Sequence, residues 1–216
     1  SDSLKANRDF ILRMVGKEVT SLYFADDKFK RDKEIVITAI THDPYALAYA
    51  DISLRSDRDI VAEAYRLRAS SLQFASKNLR SDSDFMRPLI MSYPYAFEFA
   101  SEGLKSNRDF VKNIVSTAGR ALEYVDEHLK SDPEIVRLAI KSHRWALEYA
   151  NNDLRDNKEF ILPLLAIGGQ VLRYVSERLR SDREVVAEAI KYHPWALEYA
   201  NEDIKKDPIA IFDTSK

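Results

Sequence analysis

A pattern that returns every 25 residues limits what this chain can fold into more than any other feature. Leu4, Phe29, Leu54, Leu79, Leu104, Leu129, Leu154, Leu179 and Ile204 stand 25 apart without a slip. An aromatic column keeps step with them: Phe24, Tyr49, Phe74, Phe99, Tyr124, Tyr149, Tyr174 and Tyr199, each followed by Ala or Val. A fixed period of about 20 to 50 residues marks an array in which each unit buries its apolar face against its neighbours. The expectation is one helical-repeat domain over 1–216, with units at roughly 4–28, 29–53, 54–78, 79–103, 104–128, 129–153, 154–178 and 179–203, and a partial unit at 204–216.

Each unit reads as two short helices. In 179–203, Val185, Val186, Ala189 and Ile190 make one apolar face, and Ala196, Leu197, Tyr199 and Ala200 make another. The first helix opens in every unit on Asn7, Asp32, Asp57, Asp82, Asn107, Asp132, Asn157 or Asp182, side chains that accept the unpaired N–H groups of a first turn. Two residues later comes an acid, among them Glu34, Glu134 and Glu184, which suits the positive end of the helix dipole. The second helix is expected to run to the leucine column, where a cation follows each time, from Lys5 and Lys30 to Arg180 and Lys205. These cations are expected to cap that helix and pair with the acidic column. Pro88 and Pro163 fall inside first helices and predict local distortion. The predicted fold is all-α: an α-solenoid of eight two-helix units, paired into 50-residue super-repeats.

The pairing comes from a second, longer period. Even units carry a large aromatic in the turn between the helices (Tyr45, Tyr95, Trp145, Trp195), whereas odd units carry small residues there, with Gly119, Gly168 and Gly169. Large side chains of even units are expected to fill the space that odd units leave. If the even-unit rings face outward they form, with Tyr93, His143, Tyr192 and His193, a candidate partner-binding ladder; burial is the other reading. The Tyr/Phe column is expected inside the core or between units.

The segments 129–154, LKSDPEIVRLAIKSHRWALEYANNDL, and 179–204, LRSDREVVAEAIKYHPWALEYANEDI, carry the pattern most fully. They resemble the DUF4116 repeats, a domain of unknown function, and the resemblance runs along essentially the whole chain. It implies an all-helical repeat protein often found as tandem arrays in larger proteins. It implies no activity and no catalytic residue.

Composition narrows the chemistry. With no cysteine, disulfides, thiol nucleophiles and thiolate metal sites are excluded. Lys+Arg 33 against Asp+Glu 35 leaves a net charge of -2, which argues against a polyanion-binding protein. The apolar run Phe160 to Gly169 is too short to span a bilayer. No signal peptide is visible before Leu4, so an intracellular, cytoplasmic location is expected. His42, His128, His143 and His193 have no metal-ligand spacing, and no nucleophile elbow or phosphate loop is present. No cofactor is expected. The function expected is a non-catalytic protein or peptide interaction scaffold, with self-association through the ends of the array open. A nucleic-acid-binding array and a structural spacer are the alternatives.

Overall fold

The computed structural model describes residues 7–206 except Val19, and all their regular structure is helical. The chain divides into two compact units, 1–101 and 102–216. The incomplete repeat with Ile209, Ile211 and Phe212 lies outside the described residues.

One repeat shows the common plan, although in the first and seventh the second element, Thr20–Phe24 and Val171–Tyr174, is α-helical. The helix Lys33–His42 starts on Asp32, whose carboxylate accepts the N–H groups of Glu34 and Ile35. Asp57, Asp82, Asp132 and Asp182 cap their helices in the same way, while Asn7, Asn107 and Asn157 each accept one N–H, that of Phe10, Phe110 or Phe160. Its face of Ile35, Val36, Ala39 and Ile40 is buried. After Asp43 the chain enters a 3-10 helix, Pro44–Tyr49, and then a one-turn α-helix, Ile52–Arg55.

The second helix expected from the sequence is therefore two helices, broken at Ala50. The break has a visible cause. Asp51 leaves the helix so that its N–H reaches the carbonyl of Lys30 in the preceding repeat at 2.9 Å, while its side chain caps the next turn at Ser53. The staple recurs as Ser76 to Arg55, Ser101 to Arg80, Asp126 to Lys105, Asn151 to Lys130, Ser176 to Arg155 and Asn201 to Arg180. Each satisfies a carbonyl that a helix end leaves unpaired, and ties neighbouring repeats through main chain alone.

Packing follows from the 3-10 geometry. With about three residues per turn, Leu47 and Ala50 fall on the same inward side. Leu22, Leu47, Leu72, Phe97, Leu122, Leu147 and Leu172 are completely buried, each stabilising by about 1.5–3 kcal/mol. The Tyr/Phe column sits beside this row, half-buried between repeats, and Phe24 is 62% exposed. Tyr49 meets Tyr23 of the repeat before it edge-on, with 5.3 Å between ring centres.

The prolines do not break their helices. Ser83–Ser92 runs through Pro88 at the same ten residues as Lys33–His42, and Lys158–Leu165 matches the eight of proline-free Arg108–Val115. Both prolines are exposed, and the carbonyls four residues back belong to exposed Asp84 and Glu159. Water can take the place of each lost bond.

Candidate functional site

The turn between the first helix and the 3-10 helix carries the even-repeat aromatics, and their surroundings differ. In 1–101, Tyr45 is half-buried: its hydroxyl bonds Ser70 Oγ at 2.7 Å, its ring meets Phe74 edge-on at 5.5 Å, and Arg68 lies 4.9 Å over its face. The Ser70 bond and the Arg68 cation hold its hydroxyl below the usual tyrosine range. Tyr95 is also half-buried, packed edge-on against Phe99 at 5.2 Å, and burial raises its hydroxyl. Tyr93 lies against it, 5.7 Å between centres, and is 51% exposed.

In 102–216 the rings stand further out. Trp145 is 52% exposed and Trp195 46% exposed. Half-buried His143 meets Trp145 at 5.4 Å, and half-buried His193 meets Trp195 at 5.7 Å. Exposed Tyr192 sits beside Lys191, whose ammonium is 5.1 Å from its ring centre. The burial reading of the even-repeat column thus holds in part for Tyr45 and Tyr95 and fails for Trp145 and Trp195, which stay about half exposed.

Small residues in odd repeats do make room for the neighbours. A Cβ on Gly168 would stand 2.6 Å from Arg144 Cδ, and one on Gly169 would stand 2.8 Å from His193 Cβ and 3.0 Å from Trp195 Cη2. Gly119 is tighter still: a Cβ there would meet the Ala139 carbonyl oxygen at 2.2 Å, and its own N–H donates to Ser142 Oγ.

The charged columns pair differently from the expectation. Lys30, Lys105, Lys130 and Lys205 bond the acid three residues earlier in their own short helix. Arg80 and Arg155 instead donate to the main-chain carbonyls of Phe99 and Tyr174, 19 residues on. The capping acids are met by another column, the first residue of the preceding long helix. Arg8 bonds Asp32 and Glu34, Lys33 bonds Asp57, Arg58 bonds Asp82, Arg108 bonds Asp132 and Glu134, and Lys158 bonds Asp182 and Glu184. Stacking sets these partners opposite each other, and spacing along one unit does not reveal it.

Residues 32–80, 57–105, 107–155 and 157–205 each match the family described as Domain of unknown function (DUF4116), in windows two repeats long. The chain belongs to the DUF4116 family. No match was found among curated proteins or among solved structures. The DUF4116 windows take in all of the candidate residues, Tyr45 and Trp195 included. Among the described residues, no helix is long and apolar enough to cross a membrane.

Proposed function

We propose that this DUF4116 chain is a non-catalytic interaction module, its repeats stacked as an α-solenoid of eight units. The observation that carries the reading is the half exposure of four large aromatics, Tyr93, Trp145, Tyr192 and Trp195, at one kind of turn. Exposed Trp and Tyr are the usual anchors of protein interfaces, because they offer a wide apolar face with few rotors to freeze. Here the scaffold below them is fixed by caps, staples and buried leucines, while the turn residues vary from repeat to repeat.

A polyanion track along the cations is the rival. Against it, Arg8, Lys33, Arg58, Arg108 and Lys158 are bonded to carboxylates, and Arg80 and Arg155 to carbonyls. Cations engaged in this way offer little to a phosphate backbone.

The test is affinity capture with the parent chain and with a Tyr93→Ala, Trp145→Ala, Tyr192→Ala, Trp195→Ala variant, after circular dichroism has established the variant's helicity. The reading expects partners held by the parent and lost by the folded variant. Equal capture by both would overturn it.

A further inference from the structure

Between the repeats that begin at Asp132 and Asn157 lies a surface groove of about 400 Å³, lined in part by Lys141, His143, Arg144, Trp145, Ile167 and Gln170. We propose that this groove docks an acidic peptide segment, its carboxylates on Arg144 and Lys141 and an apolar side chain against Trp145 and Ile167. This rests on the interaction-module reading and gives it a location and a ligand chemistry.

The case begins with Arg144. The equivalent positions in the other even repeats are Pro44, Pro94 and Pro194, each the first residue of its 3-10 helix. Proline suits that place because the N–H there needs no partner. A cation at a helix N-terminus faces the positive end of the dipole, so the local structure gives no reason for arginine. Yet the arginine is held in place. Its Nε donates to the Ile167 carbonyl of the next repeat at 3.2 Å, and its stem crosses Gly168 where a Cβ would stand 2.6 Å away.

Gly168 is the matching departure. The equivalent positions in the other repeats hold Glu18, Asp43, Arg68, Tyr93, Ala118, His143 and His193, and only here is there no side chain. The two exceptions fit together and fix a guanidinium at the groove, with its remaining N–H groups left to take a ligand. Lys141 complements the C-terminal end of its helix and is exposed. Trp145 supplies a half-exposed indole face.

Charge complementarity picks the occupant. No carboxylate is among the described residues lining the groove. Its positive charge is local, whereas nucleic acid needs an extended track of free cations. A short segment with a few carboxylates beside one apolar residue matches both the charge and the size.

The experiment selects short random peptides against the whole chain and measures the enriched ones by fluorescence anisotropy. Binding is compared on the parent, Arg144→Pro, Arg144→Gln, Gly168→Ala, Gly16→Ala and Trp195→Ala. Arg144→Pro restores the residue found in the other even repeats, and the extended backbone of His143 before it suits proline. The glutamine variant provides the same test should the proline variant misfold. The expected result is enriched peptides rich in Asp and Glu, weakened roughly tenfold or more by loss of the Arg144 charge, the effect of one charged hydrogen bond. Gly168→Ala should weaken them by displacing the arginine, and Gly16→Ala, a control in a different repeat, should leave them unchanged. Enriched peptides without carboxylates, or binding indifferent to Arg144, would overturn the groove assignment. If such peptides depend on Trp195 instead, the interaction-module reading stands and only the groove falls. A selection that yields no binder sinks both. Arg144-dependent binding of single-stranded oligonucleotide, tighter than that of any peptide, would also overturn the assignment.

Discussion

Arg108 Nε donates to the carboxylate of Asp132 at 2.8 Å, joining the first residue of one long helix to the cap of the next, 24 residues on. The same pair holds Arg8 to Asp32, Lys33 to Asp57, Arg58 to Asp82 and Lys158 to Asp182. Where the leading residue carries no charge, at Ser83 and Pro133, the cap 24 residues later is Asn107 and Asn157. Both side chains cap a helix, and only the aspartate also answers a cation.

Asp132→Asn should therefore keep the cap and lose the ion pair, costing a few tenths of a kcal/mol. Asp132→Ala should lose both and cost about 1 kcal/mol or more. Urea unfolding of the two variants, read by circular dichroism, checks the order. An Asn variant as unstable as the Ala variant would mean that the pair, and not the cap, dominates.

Gly119→Ala should destabilise by roughly 1–3 kcal/mol, because the added methyl meets the Ala139 carbonyl oxygen at 2.2 Å, a backbone atom held in a helix. Gly16→Ala should be neutral or stabilising by up to about 1 kcal/mol: its nearest neighbours are 3.9 Å away and its φ of -76 suits alanine. Thermal unfolding of the pair of variants should show shifts of opposite sense, or one shift beside none.

Sequence spacing revealed the repeat, the eight caps and the glycine-for-bulk exchange, because each depends on residues within one unit or on a column of one residue type. The break at Ala50 escaped notice because Ala46, Tyr49 and Ala50 fit helical spacing across it. A sign of it was present: Asp51, Ser76, Ser101, Asp126, Asn151, Ser176 and Asn201 form a second column of capping residues. The Arg108 to Asp132 pairing was hidden because a cation four residues before an acid looks like its partner until the repeats are stacked. Which turn aromatics would be tucked in could not be seen at all. Tyr45 is held by Ser70 and Phe74, and nothing in its own repeat announces them.

Ser71→Ala should raise stability by about 1 kcal/mol. The Ser71 hydroxyl is completely buried with no hydrogen-bond partner, and five of the seven equivalent positions hold alanine: Ala46, Ala96, Ala121, Ala146 and Ala196. Alanine removes an unsatisfied polar group at no cost in packing. A lower urea midpoint for the variant would contradict this account of the site.

Acid should loosen the array through its caps. The Arg8 bond holds Asp32 below the usual carboxylate range, and the Lys33 bond does so for Asp57. The Phe85 N–H lowers Asp82. For Asp132 and Asp182 burial acts upward, but the bonds to Arg108 and Lys158 and to the helix N–H groups outweigh it. Asp51, bonded to Ser53 and Arg31, falls to about 2. A lowered folded-state value means stability that is present above the unfolded value, about 3.9, and lost as pH falls through the folded one. Urea midpoints should be level near neutrality and decline between about pH 4 and pH 2. A midpoint that held steady down to the bottom of that window would show that the caps contribute nothing through charge.

The most direct test of the central claim, that the turn aromatics serve contact and not folding, is urea unfolding of the Tyr93→Ala, Trp145→Ala, Tyr192→Ala, Trp195→Ala variant beside Leu147→Ala. Leu147 is completely buried, and its truncation should cost about 2–5 kcal/mol. The account predicts that the four-residue variant keeps the parent's helicity and a cooperative transition, each substitution costing less than Leu147→Ala. Loss of helical signal before any urea is added would make those rings part of the core and leave the interaction surface without its anchors.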